Sequence, residues 1–389
     1  MSLEHFLKDT RVFKKVSAEP SVGGSRRPPP SGSLRCHCAV GDPQTHCHYV
    51  RAQGGLLPQP QEAQENEPGR FCQVMDHGVQ VVEIDLTQSL APQGPFDVIV
   101  HKLSDVIVEA EHDNQSQQLL ANFQSYVSAH PSTVIVDPLP AMTQLLDRFA
   151  SYRLMSKLHN SLRDWRICSP PYLEIHSDTD LPSIQEAVRN QDLSFPLICK
   201  TRVAHGSLSH EMSLIFSVGN LADIHPPCVL QSFVNHGAIL HKVFVIGDKH
   251  FCVERPSLKN FPSGPCDRKT IFFNSHQVSK PESSSDLTAL DEKMPCLPPP
   301  SSEAIAALVR ELRLQLGMAL FGVDVIINIR THTLTVIDIN IFPGYEGVPQ
   351  FFSSLLSHIQ SVLNKPSSTD LQDTDSLTTG GPSTTTTNL

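Results

Sequence analysis

The sequence has no apolar run long enough to span a bilayer, and its first residues lack the basic-then-apolar order of a secretory signal. It has no excess of positive charge either. Thirty Lys and Arg stand against 40 Asp and Glu, and the net charge of −10 argues against a general binder of nucleic acid or anionic membrane. A P-loop is missing, as are a Ser-His-Asp pattern, a reactive-cysteine motif and a pair of glycosidase-type carboxylates. Hydrophobic residues make up only 39%, and 31 Pro with 20 Gly imply long irregular segments. The ten Cys are scattered, and Cys168, Cys199, Cys228 and Cys252 fall inside strand-like runs, as reduced, buried thiols do. This describes a cytoplasmic protein that makes no membrane contact and is long enough for two or three lobes; a monomer is expected, though none of these counts reads on it.

Composition divides the chain. Residues 1–70 read as an atypical, largely disordered segment, with a strand begun at Arg11-Val12-Phe13 that nothing apolar sustains. Cys36, His37, Cys38, His46, Cys47 and His48 sit inside it, but their irregular spacing and coreless surroundings speak against a zinc knuckle. Strands at 79–86, 96–100 and 134–136, with a helix at 116–129, predict an N-terminal α/β lobe over 71–140 and a mostly parallel sheet. A continuous helix is expected over 141–158, carrying Arg148, at the start of a central lobe spanning 141–240. A third lobe over 241–364 holds a hairpin turning at Gly247-Asp248 and amphipathic helices at 302–316 and 352–363. Ser301 or Ser302 can cap the first of these helices and Gly317 can end it. The Ser/Thr-rich tail 365–389 lacks periodicity and is expected to be disordered.

The most informative stretch is 321–347, FGVDVIINIRTHTLTVIDINIFPGYEG. Two β-branched apolar runs flank a polar break, which predicts an antiparallel hairpin. Asp338 and Asn340, two apart, share one face of their strand, and Ile337, Ile339 and Ile341 take the other. Asp324 falls opposite them if the turn centres on Thr331-His332. Carboxylate and amide oxygens without Cys or His suit a hard cation, and an incomplete set suits magnesium with a phosphate substrate. A solvated sheet face is the alternative. Pro343 fixes the backbone of the next loop, while Gly344 and Gly347 permit left-handed or close conformations.

Cations accumulate along the middle of the chain at Lys102, Arg148, Lys200, Arg202, His210, Lys242, Arg255 and Lys259, several at strand ends. Lys200, Arg202 and His205 share a Gly-containing loop able to donate to phosphate oxygens. Cations facing a carboxylate-held metal suit phosphoryl transfer, in which charge neutralisation and positioning supply most of the catalysis.

The segments HKLSD, RICSPP, FPLICKTRVAHG, QSFVNHGAILHK, RPSLKNF, IFFNSH-VSKPESSS and VIDINIFPGYEG, in this order, resemble the inositol-tetrakisphosphate 1-kinase (inositol 1,3,4-trisphosphate 5/6-kinase) family over about 71–363. The resemblance implies an α/β ATP-grasp architecture with a Rossmann-like N-terminal lobe, and two lobes closing over ATP and two magnesium ions. It implies metal ligation by Asp324, Asp338 and Asn340, with Asn340 and Gly344 also near the inositol phosphate. It assigns ATP binding to Arg148, Lys200, Gln231, Ser232, Phe233, Val234, Asn235, His236, Gly237, Ala238, Ile239, Leu240, His241, Lys242, Ser257, Ser275 and Ser279. His210, Lys242 and Lys102 take the acceptor's phosphates, and Lys200 and Asp338 are the catalytic pair. The implied reactions are phosphorylation of inositol 3,4,5,6-tetrakisphosphate at the 1-position and of inositol 1,3,4-trisphosphate at the 5- or 6-position. Isomerase and reverse transfer between inositol phosphates belong to similar enzymes.

The N-terminus departs from that pattern. Relatives have a Y-W-L-S-E-K-K-like loop after their first strand, whereas Phe13-Lys14-Lys15 leads here into the irregular stretch. The loop lysine that binds substrate in relatives therefore has no assigned counterpart. An impaired inositol-phosphate or ATP binder is the alternative reading, and the two part on whether the opening residues complete the first sheet. An ATP-grasp ligase fits less well, because the cations suit a polyphosphate rather than a carboxylate.

Overall fold

The computed structural model describes residues 11–15, 79–289 and 297–364. The stretch 16–78 with its Cys/His group, and the tail 365–389, lie outside the described residues, as do the expectations of disorder and of no zinc knuckle made for them.

The first sheet contains β1 (Arg11–Lys15), β2 (Val79–Glu83), β3 (Val98–Val100) and β4 (Val134–Val136), in the order β2-β1-β3-β4. The strand begun at Arg11 is thus sustained, contrary to expectation, and lies inside the sheet. The sheet is also not mostly parallel: β1 runs antiparallel to β2 and β3, and only β3 and β4 are parallel. The parallel pair is the one joined by helices, α1 (Ser104–Glu109) and α2 (Asn114–Ala129), as crossover geometry requires. Asp113 caps α2 by accepting from Ser116 N–H at 2.7 Å.

The expected helix 141–158 is two helices, α3 (Leu139–Leu146) and α4 (Arg148–Leu162). Asp147 interrupts it in an extended conformation, bridging to Val203, and its Oδ1 accepts from Phe149 N–H at 2.9 Å as the cap of α4. Helical periodicity persists through the break, so apolar spacing alone did not reveal it.

Next come β5 (Ile167–Cys168), β6 (Tyr172–Ile175), α5 (Leu181–Asn190), β7 (Leu197–Thr201), β8 (Glu211–Ile215) and β9 (Cys228–Ser232). They are followed by β10 (Ile239–Ile246), β11 (Lys249–Pro256), β12 (Ile271–Asn274), α6 (Ser275–Val278), α7 (Ser302–Leu316), β13 (Leu320–Ile327), β14 (Leu334–Ile341) and α8 (Phe351–Leu363). The central sheet has the order β12-β8-β7-β9-β6 and the third sheet β11-β10-β13-β14-β5. Sheet membership therefore crosses the sequence division near residue 240. β5 lies beside β14 in the third sheet, and β12 returns to pair with β8 in the central one. No helix among the described residues is long and apolar enough to cross a membrane.

α7 follows its sequence pattern closely. Ser301 Oγ accepts from Ala304 N–H at 3.4 Å, Gly317 ends the helix at φ 66°, and Ile305, Leu308, Val309, Leu312 and Leu316 are all buried. The turn at Gly247-Asp248 is also where expected. Gly247 has φ 62°, and a Cβ there would lie 2.4 Å from His358 Nδ1, so the turn position also seats α8.

Asp137 joins the first sheet to the third. It has φ 64°, which Asp tolerates, and its carboxylate accepts from Ala319 N–H at 2.5 Å and Leu320 N–H at 3.1 Å. Burial pushes its carboxyl up to about 7 against the pull of those two donors. A carboxyl raised above its unfolded value of about 3.9 costs nothing below that pH and its full ionisation penalty above about 7. Asp137→Asn keeps an acceptor oxygen and removes the charge. Its melting temperature, relative to the native protein, should therefore rise between pH 5 and pH 8 in thermal scans by circular dichroism; a pH-independent difference would contradict this account.

Candidate active site

The β13–β14 hairpin places Asp324 directly opposite Asp338, and Asn340 opposite Gly322. A Cβ on Gly322 would come within 3.0 Å of Pro343, so glycine keeps room for the loop that follows Asn340. A register shift between Asp324 and Val325 marks a bulge on β14. Ile339 packs into the core as expected, but Ile337, expected on the same face, is half-buried at the cleft and offers its carbonyl there. Beyond Asn340, Gly347 is left-handed at φ 81°, but Gly344 is not. Phe342 and Tyr345 adopt φ 32° and 51° instead, held by burial and by Tyr345 Oη donating to Val245 O at 2.9 Å.

Three elements bring charge to this hairpin. Lys242 on β10 is the register partner of Asp324 and donates to its two oxygens at 3.1 and 3.0 Å. Arg148, the first residue of α4 and 2% exposed, donates to Asp338 Oδ2 at 3.2 Å, Thr201 O at 2.7 Å and Ser209 O at 3.2 Å. Its backbone N–H donates to Arg202 O at 2.8 Å, so the break at Asp147 aims the guanidinium. Lys200, at the end of β7, donates to Ile337 O at 2.9 Å. Burial pulls its ammonium down to about 8, partly offset by Asp338. For Asp338 burial acts upward, yet Lys200, Arg148, its Ile339 N–H and Lys242 together hold it below the usual carboxylate range. It is an ionised acid among cations.

Two clefts meet at this hairpin. The first, an open cleft of about 1030 Å³, is lined by Arg148, Lys200, Gln231, Phe233, Val234, His236, Leu240, Ser257, Ser275 and Ser279. The second, about 1390 Å³, is lined by Lys102, Arg255, Lys280 and the loop Phe342-Pro343-Gly344. His210, Lys242, Asp324 and Asn340 line both. Lys102 lies 5.8 Å from the centre of the Phe342 ring. His210, held below its ordinary value by burial first and then by His276, has its Nδ1 3.5 Å from Ser275 Oγ.

Not every anticipated residue reaches a cleft. Ser232 accepts from Ser194 N–H at 3.0 Å, and Asn235, Gly237, Ala238, Ile239 and His241 line neither cleft. Arg202 pairs with Asp147 at 2.8 Å, and Lys259 donates to Asp286 O at 2.9 Å. Three groups of site residues were not singled out in the sequence. Apolar Ile198, Met212, Phe273 and Ile326 wall the first cleft, His276 lines both clefts, and Lys280 lines the second. Tyr152, one turn after Arg148 and fully buried, donates to Gln231 Oε1 and lies under Lys200, 5.3 Å from the ring centre. Tyr152 faces the site only because α4 restarts at Arg148.

The donor set fits a hard cation in part. Two carboxylates and an amide oxygen converge, and no group of three or more His, Cys, Asp or Glu among the described residues could hold a metal alone. Such a set leaves coordination positions for water and phosphate oxygens, as magnesium prefers.

The segment after β9 is fixed by side chains rather than by sheet pairing. Asn235 Nδ2 donates to Phe261 O at 2.8 Å and its Oδ1 accepts from Phe261 N–H at 2.9 Å. Asn260 Oδ1 accepts from His236 N–H at 3.1 Å and Gly237 N–H at 3.0 Å. His236 bridges Val234 O and Ser257 Oγ, each at 2.7 Å, and burial pulls its imidazole down to about 4. Asn260→Ala leaves two part-buried donors unmet and should lower unfolding free energy by about 1–3 kcal/mol, read from the urea midpoint. A shift within error would show that water replaces the amide.

Comparison with known proteins identifies the family. The family model described as the inositol 1,3,4-trisphosphate 5/6-kinase ATP-grasp domain matches residues 161–361, and that of the corresponding pre-ATP-grasp domain matches residues 68–142. Inositol-tetrakisphosphate 1-kinase of Xenopus laevis is 53% identical over 290 residues, 74% of this chain and 73% of the relative. The Danio rerio protein of that name is 53% identical over 287 residues, 74% of this chain and 72% of the relative. Inositol-tetrakisphosphate 1-kinase 3 of Arabidopsis thaliana is 35% identical over 294 residues, covering 74% and 79%. With both of its characteristic domains matched in order, the chain belongs to the inositol 1,3,4-trisphosphate 5/6-kinase family and has that family's ATP-grasp fold.

Proposed function

We propose that this chain transfers the γ-phosphate of ATP to inositol polyphosphates: inositol 3,4,5,6-tetrakisphosphate at the 1-position and inositol 1,3,4-trisphosphate at the 5- or 6-position. The observation that carries the reading is the wall formed by His210, Lys242, Asp324 and Asn340 between an apolar-sided cleft and a cation-lined one. The first suits a nucleotide base and its phosphates, the second a small polyanion.

In this reading the adenine lies between Ile198, Met212, Leu240 and Ile326, beside the strand end Gln231–Val234. Lys200 and Arg148 neutralise the nucleotide phosphates, and Ser257, Ser275 and Ser279 complete the nucleotide's polar contacts. Asp324, Asp338 and Asn340 hold two magnesium ions, which when bound screen the charge developing on the transferred group. His210, Lys242 and Lys102 hold the acceptor's phosphates, with Gly344 close by, so that one hydroxyl meets the γ-phosphorus in line. No strong general base is required, because a loose transition state leaves the hydroxyl proton in place until late.

Arg255 and Lys280 supply further positive charge to the second cleft, where the family's opening-loop lysine has no assigned counterpart. The impaired-binder alternative rests on the missing opening loop; β1 completing the first sheet supports the kinase reading over it. The enzyme acts as a cytoplasmic monomer in this reading.

Incubation of the full chain with ATP, magnesium and inositol 3,4,5,6-tetrakisphosphate, followed by ion exchange, should yield a pentakisphosphate that Asp338→Ala fails to make. Magnesium-dependent ATP binding without product would sink the kinase reading in favour of the binder. Lys102 lines only the second cleft, so Lys102→Ala should raise KM for the inositol phosphate about tenfold, equivalent to about 1.4 kcal/mol, and leave KM for ATP unchanged. Equal changes in both constants would remove Lys102 from the acceptor site.

A further inference from the structure

A third depression, of about 770 Å³, shares no lining residue with either cleft. It is bounded by β4, by Arg310, Arg313 and Leu314 in the last turns of α7, and by Val362 of α8. β4 is the terminal strand of its sheet, and no strand among the described residues pairs with its outer edge. Val134 donates its N–H inward to Asp97 O at 2.9 Å, so by strand alternation the N–H and C=O of Ile135 point outward.

The groove is apolar and is cationic on its α7 side; Asp137, whose carboxylate is held by Ala319 and Leu320 N–H, and His358 also line it. Leu314 is 77% exposed and Val134 41% exposed. Arg313 has a buried Nε without a hydrogen-bond partner, and neither Arg310 nor Arg313 forms an ion pair among the described residues. The helix dipole accounts for one basic residue in the last turn of α7, but not for an exposed leucine beside an open strand edge.

We propose that this groove docks an extended acidic segment of a partner polypeptide, which joins β4 as an added strand. Its carboxylates pair with Arg310 and Arg313, and an apolar side chain covers Leu314. Backbone pairing to a free edge supplies affinity, and charge complementarity selects the sequence. The groove is separate from the proposed catalytic clefts, so docking recruits or localises the enzyme without occupying its site.

The test uses the full chain and a fluorescein-labelled ten-residue peptide of alternating Asp and Val, followed by fluorescence anisotropy. Saturable binding is expected, at least tenfold weaker when Arg310→Glu and Arg313→Glu are combined, with phosphoryl transfer unchanged in that variant. N-methylation of alternate peptide amides should weaken binding comparably, because it removes the ladder donors and keeps the charges. A Lys-Val peptide should not bind. Equal binding to the native protein and the double variant overturns the site, and equal binding of the parent and N-methylated peptides overturns the added strand. Tighter probe binding after Asp370→Asn, Asp373→Asn and Asp375→Asn together would identify the occupant as this chain's own C-terminal region and overturn the partner.

Discussion

The contact between Arg148 and Asp338 governs the rest of the structure. A buried guanidinium is tolerated only when its donors are met, and Arg148 meets a carboxylate of the third sheet, a carbonyl at the end of β7 and the carbonyl of Ser209. One side chain thus fastens α4, the central sheet and the β13–β14 hairpin at a single point. Lys200 bonding the Ile337 carbonyl and Lys242 bonding Asp324 repeat the pattern. The charges that bind the folded chain together are the ones a nucleotide and its metal would engage. Ligand binding must then re-partner these groups, and the protein holds them in place beforehand.

Period and capping were sufficient signals wherever an element was local. The α7 stripe, its Ser301 cap and Gly317 stop, the Gly247 turn and the pairing of Asp324 with Asp338 all follow from residues within one helix or one hairpin. What could not be read depends on contacts distant in sequence. The break at Asp147 is made by Val203 and Arg202, more than fifty residues on, and the place of β1 by strands beyond residue 78. Left-handed Phe342 and Tyr345 defeat the usual preference for glycine, because burial and the Val245 carbonyl fix them more strongly than local sterics oppose them.

The candidate site was legible in its charged residues and opaque in its apolar ones. Lysine, arginine and aspartate at strand ends stand out against a sequence rule that predicts solvent for them. Ile198, Met212 and Ile326 satisfy the same rule by being hydrophobic, so nothing marks them as cleft walls rather than core. Tyr152 is hidden for the same reason. Resemblance and bare chemistry converge on the β13–β14 hairpin because VIDINIFPGYEG contains Asp338 and Asn340.

The exchange of β5 and β12 between the two larger sheets has a mechanical consequence. Neither half of the chain on either side of residue 240 holds every strand of its own sheet. The halves are interlocked like clasped hands, so melting one strips an edge strand from the other and the pair should lose structure in a single cooperative step. Any breathing that admits nucleotide is confined to bending of the crossing connections around intact sheets, because wide separation would first tear β12 from β8 or β5 from β14.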